Sequence, residues 1–197
     1  MKPISYEKYY WQNELVRLRA STFEDWEEAY PSLFDSQARF LLEQEIELPP
    51  VIETIQEQSR KFANFNPETG RLMFTIETID GTVVGALNLN SINERNGTFS
   101  IGIQIGVEYR GKGYGTAAMR ILLKYAFLER RLNKFNSACV EGNAESIAMH
   151  KKLGCTQEGV RKQMYYSDGR YFDDILFGLT KDEFIENERK YNNDIVK

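Results

Sequence analysis

Three glycines stand at every second position, Gly111, Gly113 and Gly115, with Lys112 and Tyr114 between them and Arg110 just before. Glycine permits backbone angles that a Cβ forbids and leaves main-chain N–H groups uncovered. From Thr116 the pattern becomes helical, with Ala117, Ala118, Ile121, Leu122 and Tyr125 on one side. The first-turn N–H groups of a helix have no partner within it and form its positive end. A glycine turn that opens a helix is therefore suited to an anion, most simply a phosphate, and Arg110 and Lys112 add charge. The other side chains that do chemistry are sparse. Cys139 and Cys155 form no C-x-x-C pair, and the single His150 gives no metal set, so neither zinc nor a disulfide framework is expected.

Upstream of the loop, Ile101, Ile103 and Ile105 alternate with Gly102, Gln104 and Gly106, the period of a strand with one buried face. Three phosphate-loop patterns can be set against this strand, turn and helix. A dinucleotide fingerprint, G-x-G-x-x-G, would need the third glycine one residue later. An ATP loop, G-x-x-x-x-G-K-[ST], matches Gly106, Gly111 and Lys112 but then meets Gly113, where the magnesium-binding hydroxyl should be. The third pattern is Arg110, Gly113 and Gly115 after a strand ending in Val107-Glu108-Tyr109. Here the chain resembles the GCN5-related N-acetyltransferases, whose diphosphate loop reads [QR]-x-x-G-x-[GA]. A second segment, Asn143 to Cys155, is similar to another pattern of that family through Asn143, Ser146, Ile147, His150, Lys152, Leu153 and Gly154. The resemblance spans about Leu15 to Phe184. Its ending, SDGRYFDDILFGLTKDEF, looks like the branch of ribosomal-protein N-terminal acetyltransferases and spermidine acetyltransferases.

The resemblance implies acetyl transfer from acetyl-CoA, a co-substrate, to a primary amine, with no metal. The acceptor would be a protein N-terminus or a small polyamine or aminoglycoside-type amine, attacking directly. It implies that acetyl-CoA lies along the central strand, with its pantetheine arm on backbone groups of Ile103, Gln104 and Ile105. It places the diphosphate on Arg110, Gly111, Lys112, Gly113, Tyr114, Gly115 and Thr116, and adds Asn143 and Lys152 as cofactor contacts. The family's usual general acid is a tyrosine. Here His150 stands at that position, and histidine, with an ordinary pKa of about 6.5, can protonate a leaving thiolate near neutrality. The plain alternative is a core-edge histidine, since Ile147 and Leu153 flank it at steps of three. No general base is evident: the central strand offers Ser100 and Gln104, and Glu94 lies in the preceding turn. Asp173 matches a recurrent aspartate of the N-terminal acetylating branch. The alternative function is a catalytically degenerate acyl-CoA-binding module.

The rest of the chain must position this loop. Its 197 residues suit one acetyltransferase domain, residues 1–197, with 1–13 as an N-terminal extension. A net charge of −4 gives no nucleic-acid footprint. No apolar signal core or membrane-length stretch is present, so a reduced, cytoplasmic protein is expected, with a homo-oligomer left open. Leu15–Ala20 reads as a first strand. Ser21-Thr22-Phe23-Glu24 has capping-box spacing, and Pro31 interrupts the helix it starts. Helices over Ser36–Leu48 and Val51–Phe65 follow, parted by Pro49-Pro50. The acidic residues of this region, Glu24, Asp25, Glu27, Glu28, Glu43, Glu45 and Glu47, are either a solvated face or a rim for a cationic amine. Strands follow at Arg71–Ile79, Val83–Asn90 and Phe99–Val107, turning at Asp80-Gly81 and Asn96-Gly97. After the loop helix come a strand over Asn133–Val140, a helix over Asn143–Leu153, strands over Gln157–Tyr166 and Tyr171–Leu179, and a closing helix over Thr180–Tyr191. The expected architecture is α/β, a mixed, largely antiparallel sheet flanked by helices, to which the resemblance adds a splay between central strands.

Overall fold

The computed structural model describes residues 4–195, with side chains described as far as Tyr191; residues 1–3 of the expected extension lie outside it. Seven strands form one sheet: β1 (Val16–Ala20), β2 (Leu72–Thr78), β3 (Val83–Asn93), β4 (Thr98–Ile105), β5 (Lys134–Val140), β6 (Thr156–Ser167) and β7 (Arg170–Thr180). Their order is β1-β2-β3-β4-β5-β7-β6. Every neighbouring pair is antiparallel except β4 and β5, which run parallel. The helices are α1 (Trp26–Ala29), α2 (Ser36–Glu43), α3 (Ile52–Phe62), α4 (Tyr114–Lys124), α5 (Ala144–Lys152) and α6 (Lys181–Ile195). The mixed, largely antiparallel sheet flanked by helices is the one expected from the sequence.

Alternation along the strands decides what each face meets. Leu18, Phe74, Ile76, Leu87, Leu89, Phe99 and Ile101 are buried in one core with Ala118 and Leu122 of α4. Burying each large aliphatic or aromatic side chain is worth about 1.5–3 kcal/mol. Trp11 joins from the N-terminal segment, its ring 5.0 Å from Phe74 and 4.6 Å from Tyr125. That segment is further tied by Asn13, whose side-chain amide donates to the Ala117 carbonyl at 3.1 Å. Both cysteines are buried and free.

Several boundaries differ from the expected ones, for local reasons. The cap lies one residue later than Ser21: Asp25 accepts from the Thr22 N–H at 2.8 Å and so closes the turn. Burial pushes the Asp25 carboxyl up, but bonds from Arg19, Thr75 and Thr22 outweigh it and hold the group below the usual carboxylate range. α2 ends at Glu43, because Gln44 turns left-handed at φ 65°. α3 ends at Phe62, since Asn64 and Phe65 also take positive φ. β3 runs on to Asn93 through a bulge at Ser91, φ 51°. α4 starts at Tyr114, two residues before Thr116, and closes in a π-helical turn over Tyr125–Glu129.

Candidate active site

β4 and β5 are in register at only two pairs, Thr98 with Lys134 and Phe99 with Phe135. Beyond them the strands part, although β4 continues to Ile105 and β5 to Val140. The peptide groups along the parted edges have no ladder partner there, so an extended ligand can enter and pair with them. On one face of the opening Ile103 and Ile105 approach Gly115 of α4. A Cβ on that glycine would lie 3.4 Å from Ile105, 3.7 Å from Ile103 and 3.8 Å from the Met149 sulfur of α5. Gly115 is thus a close-packing position, where the sequence pattern had suggested only loop contact. On the opposite face are Ser100, Gly102 and Gln104, registered with Asn90, Asn88 and Ala86 of β3. Gln104 Nε2 is buried and has no hydrogen-bond partner, a donor in want of an acceptor.

The loop sits at the mouth of this opening. Gly111 and Gly113 have φ of 74° and 86°, the left-handed region that a side chain resists. No side chain caps α4, so the N–H groups of its first turn point outward uncovered. Nothing lies within 4 Å of where a Gly111 Cβ would be, which leaves room on that side. Arg110 is engaged: its Nε donates to the Ile105 carbonyl at 3.2 Å, and its Nη2 lies 3.5 Å from the Asp35 carboxylate. Asp35 is in turn the N-cap of α2, accepting from the Ala38 N–H at 3.0 Å. Arg110 therefore ties the loop both to β4 and to the helix over the other face. Lys112 is exposed, its ammonium 5.4 Å from the Tyr109 ring centre. Tyr114 and Thr116 are half-buried in the first turn of α4.

Asn143 is the N-cap of α5, its Oδ1 accepting from the Ser146 N–H at 3.1 Å. Lys152 is exposed at the other end of that helix, about 13 Å along its axis. The structure does not bring it to the mouth with Asn143. Its carbonyl accepts instead from Arg120 Nη2 at 3.3 Å.

A family model described as acetyltransferase (GNAT) domain matches residues 16–156, well over half of the sequence. The chain belongs to the GNAT acetyltransferases. This GNAT protein is accordingly an acyltransferase. It is 31% identical over 125 residues to the SPbeta prophage-derived uncharacterized N-acetyltransferase YokL of Bacillus subtilis, covering 64% of this chain and 71% of that one. It is 26% identical over 124 residues to spermidine N(1)-acetyltransferase of Escherichia coli, covering 63% and 66%. Among solved structures, spermidine N-acetyltransferase from Vibrio cholerae in complex with CoA and spermine superposes with a TM-score of 0.77 at 19% identity, over 88% of this chain and 99% of that one. That likeness shows the fold. No helix among the described residues is long and apolar enough to cross a membrane, and no group of metal-ligating side chains occurs among them.

The side chains of this GNAT protein nearest in sequence to the expected chemistry have distinct surroundings. His150 is 2% exposed. Its ring stacks on Phe177 at 4.6 Å and, more distantly, on Phe135 at 6.2 Å. Its Nδ1 donates to the Ser146 carbonyl at 2.7 Å, and its Nε2 then accepts from the Ser137 hydroxyl at 2.8 Å. Burial holds its pKa below the ordinary value, so the ring is neutral near pH 7. The core surroundings follow from α5 lying on β5 and β7, a packing that the step-of-three apolar flanks foreshadow. Burial pushes the Cys155 thiol up to about 12, which leaves it unreactive as an acyl carrier.

Asp173 holds backbone: its Oδ1 accepts from the N–H of Gln163, a left-handed residue at φ 53°, and its Oδ2 pairs with Lys162. Reading the sequence missed its neighbour Asp174, which has no accessible surface. Strand alternation was a usable signal, since Asp174 falls on the face shared by Phe172 and Leu176. The glutamates of the expected rim are partly spoken for, with Glu43 and Glu47 both paired to Arg39.

Proposed function

We propose that this enzyme transfers the acetyl group of acetyl-CoA to a primary amine by direct attack, within a single domain spanning the chain. The observation that carries the reading is the parting of β4 and β5 after Phe99 and Phe135, with the uncapped start of α4 at its mouth. The residues suit the co-substrate. Left-handed Gly111 and Gly113 expose loop N–H groups to a diphosphate, and the edge of β4 over Ile103, Gln104 and Ile105, apart from the Ile105 carbonyl that Arg110 occupies, offers peptide groups to an amide-bearing arm. Asn143 Nδ2 and the unpartnered Gln104 Nε2 are further donors. When bound, acetyl-CoA supplies a thioester already activated for acyl transfer.

The chain's own groups then do three things. A β4 N–H in the Ile103–Ile105 stretch polarises the thioester carbonyl and stabilises the oxyanion without a side chain. Arg110, shared between the Ile105 carbonyl and Asp35, keeps the loop and α2 together around the opening. His150 fixes the Ser137 hydroxyl on β5, the strand that borders the opening, and is in this reading a positioning residue. The acceptor is a small-molecule or peptide amine, and the relatives named for spermidine support a cationic one. Free-thiol release from acetyl-CoA, measured across N-terminal peptides, polyamines and aminoglycosides, tests the reading. Absence of release with every amine, from protein that binds CoA, would overturn it.

A further inference from the structure

The carboxylate of Asp174 is the least satisfied charge in the described structure. It is wholly buried, yet only one of its oxygens is bonded. Oδ2 accepts from Arg161 Nε at 2.9 Å, and Nη2 of the same guanidinium also reaches it. Oδ1 has no partner. A bare carboxylate oxygen in an interior forfeits its hydration without return, so a site of this kind costs stability until a donor reaches it.

Its place in the fold says where that donor comes from. Asp174 is registered on one side with Val140, the last residue of β5, and on the other with Arg161 of β6. Through the pairings of β5 with β4 and β7, its side chain falls on the same sheet face as Ser100 and Gln104, opposite the face covered by α4 and α5. Phe172, two residues earlier on that face, packs on Phe40 of α2 at 5.2 Å. The carboxylate therefore lies between the sheet and α2, on the side of the opening away from the loop helix. The groups facing it are Arg161 and the Tyr165 hydroxyl, whose pKa burial and the nearby Asp174 carboxylate push up but which makes no bond to Oδ1. Lys162 is paired with Asp173, and Arg39 of α2 with Glu43 and Glu47. The Arg161 side chain is 51% exposed, so its guanidinium can turn outward into water when another cation takes its place on the buried carboxylate.

We propose that Asp174 is a specificity-determining residue, an anionic seat for a cationic nitrogen of the acceptor other than the one acetylated, with Arg161 holding the seat when no acceptor is bound. The inference rests on the acetyl-transfer reading above. A nitrogen must be neutral to attack, so a second, protonated nitrogen is the part of an acceptor that a carboxylate can select. An ammonium at Asp174 satisfies Oδ1 and takes over Oδ2 as Arg161 swings outward.

The two partners of the ion pair give opposite expectations, and that separates a seat from a structural pair. Binding of spermidine, and of propylamine as a single-nitrogen control, is measured by calorimetry on the CoA-loaded protein. Asp174→Asn weakens spermidine at least tenfold, and Arg161→Gln, which frees the carboxylate, tightens it at least threefold. Propylamine changes with neither. Any other pattern overturns the seat: parallel weakening by both variants, no change in either, or no spermidine binding to the unaltered protein. If Asp174→Asn does not fold, Arg161→Gln decides alone, with tightening as support and anything else as refutation. Thiol release is run beside the calorimetry. Its absence with every amine overturns acetyl transfer, while the contrast between the two variants still decides the seat.

Discussion

Replacing His150 by Phe keeps a ring between Phe177 and Phe135 and removes the protein's single histidine. It leaves the Ser137 hydroxyl and one bond of the Ser146 carbonyl without their partner, a loss of about 1–3 kcal/mol at pH 7.5. The pH dependence is more telling. Burial holds the folded pKa of His150 below its ordinary 6.5, so the unfolded chain takes up the proton first as pH falls. The stability that the neutral ring contributes is full above pH 6.5 and is lost as pH drops toward the folded pKa. At pH 5.5 the loss is at most about 1.4 kcal/mol, the free energy of protonating an ordinary histidine one unit below its pKa. With a urea m-value of about 2 kcal/mol/M, that moves the midpoint by about 0.7 M. Urea unfolding at pH 7.5 and 5.5 should therefore show the gap between wild type and His150→Phe narrowing on acidification. Glu188, which burial pushes up, titrates in both proteins and drops out of the difference. A gap that stays constant with pH would show that the ring titrates normally in the folded protein, and the buried, neutral assignment would fail. The same variant separates two catalytic roles. An acid acting directly on the thiolate would cost on the order of 10²–10⁴ in kcat, whereas positioning of Ser137 predicts a fall of less than about tenfold.

Three further substitutions test the frame around the opening. Gly113→Val forces a branched residue to φ 86° and should weaken CoA binding at least tenfold by calorimetry with the fold intact by circular dichroism; unchanged affinity would remove the loop from the diphosphate site. Gly85→Ala puts a Cβ 2.2 Å from the Gln104 carbonyl, so β3 and β4 must separate. Thermal unfolding should report a cost of about 1–3 kcal/mol, and a cost below about 0.5 kcal/mol would mean the strands yield freely. Asp25→Asn removes the carboxylate that joins Arg19, Thr75 and the Thr22 N–H, and should cost about 2 kcal/mol at pH 7. Because the folded pKa of Asp25 is lowered, that contribution is present above the ordinary carboxylate pKa and disappears as pH falls through the folded value. Wild type and variant should converge in urea midpoint at low pH, and a difference that persists there would refute the assignment.

Local chemistry was legible in the sequence because it depends on neighbours along the chain. The left-handed Gly111 and Gly113, the helix they open and the alternation of β4 follow from residue types at fixed offsets, and all are present in the structure. Helix ends were less legible, since Gln44 and Asn64 turn left-handed at points that no glycine or proline marks. The surroundings of the candidate side chains were only hinted at by apolar spacing and strand alternation, and tertiary packing decided them. His150 and Lys152 lie on one short helix, yet one is stacked between phenylalanines and the other faces solvent, because β5 and β7 run beneath only one side of α5. Asp173 and Asp174 are adjacent and alike in sequence. The pleat of β7 turns one toward a bulge in β6 and the other beneath α2, so that one carboxylate holds backbone and the other is buried with an oxygen unpaired. The opening between β4 and β5 is likewise a property of strands distant in sequence. Its edges are set by where two parallel strands stop pairing, which no spacing within either strand encodes.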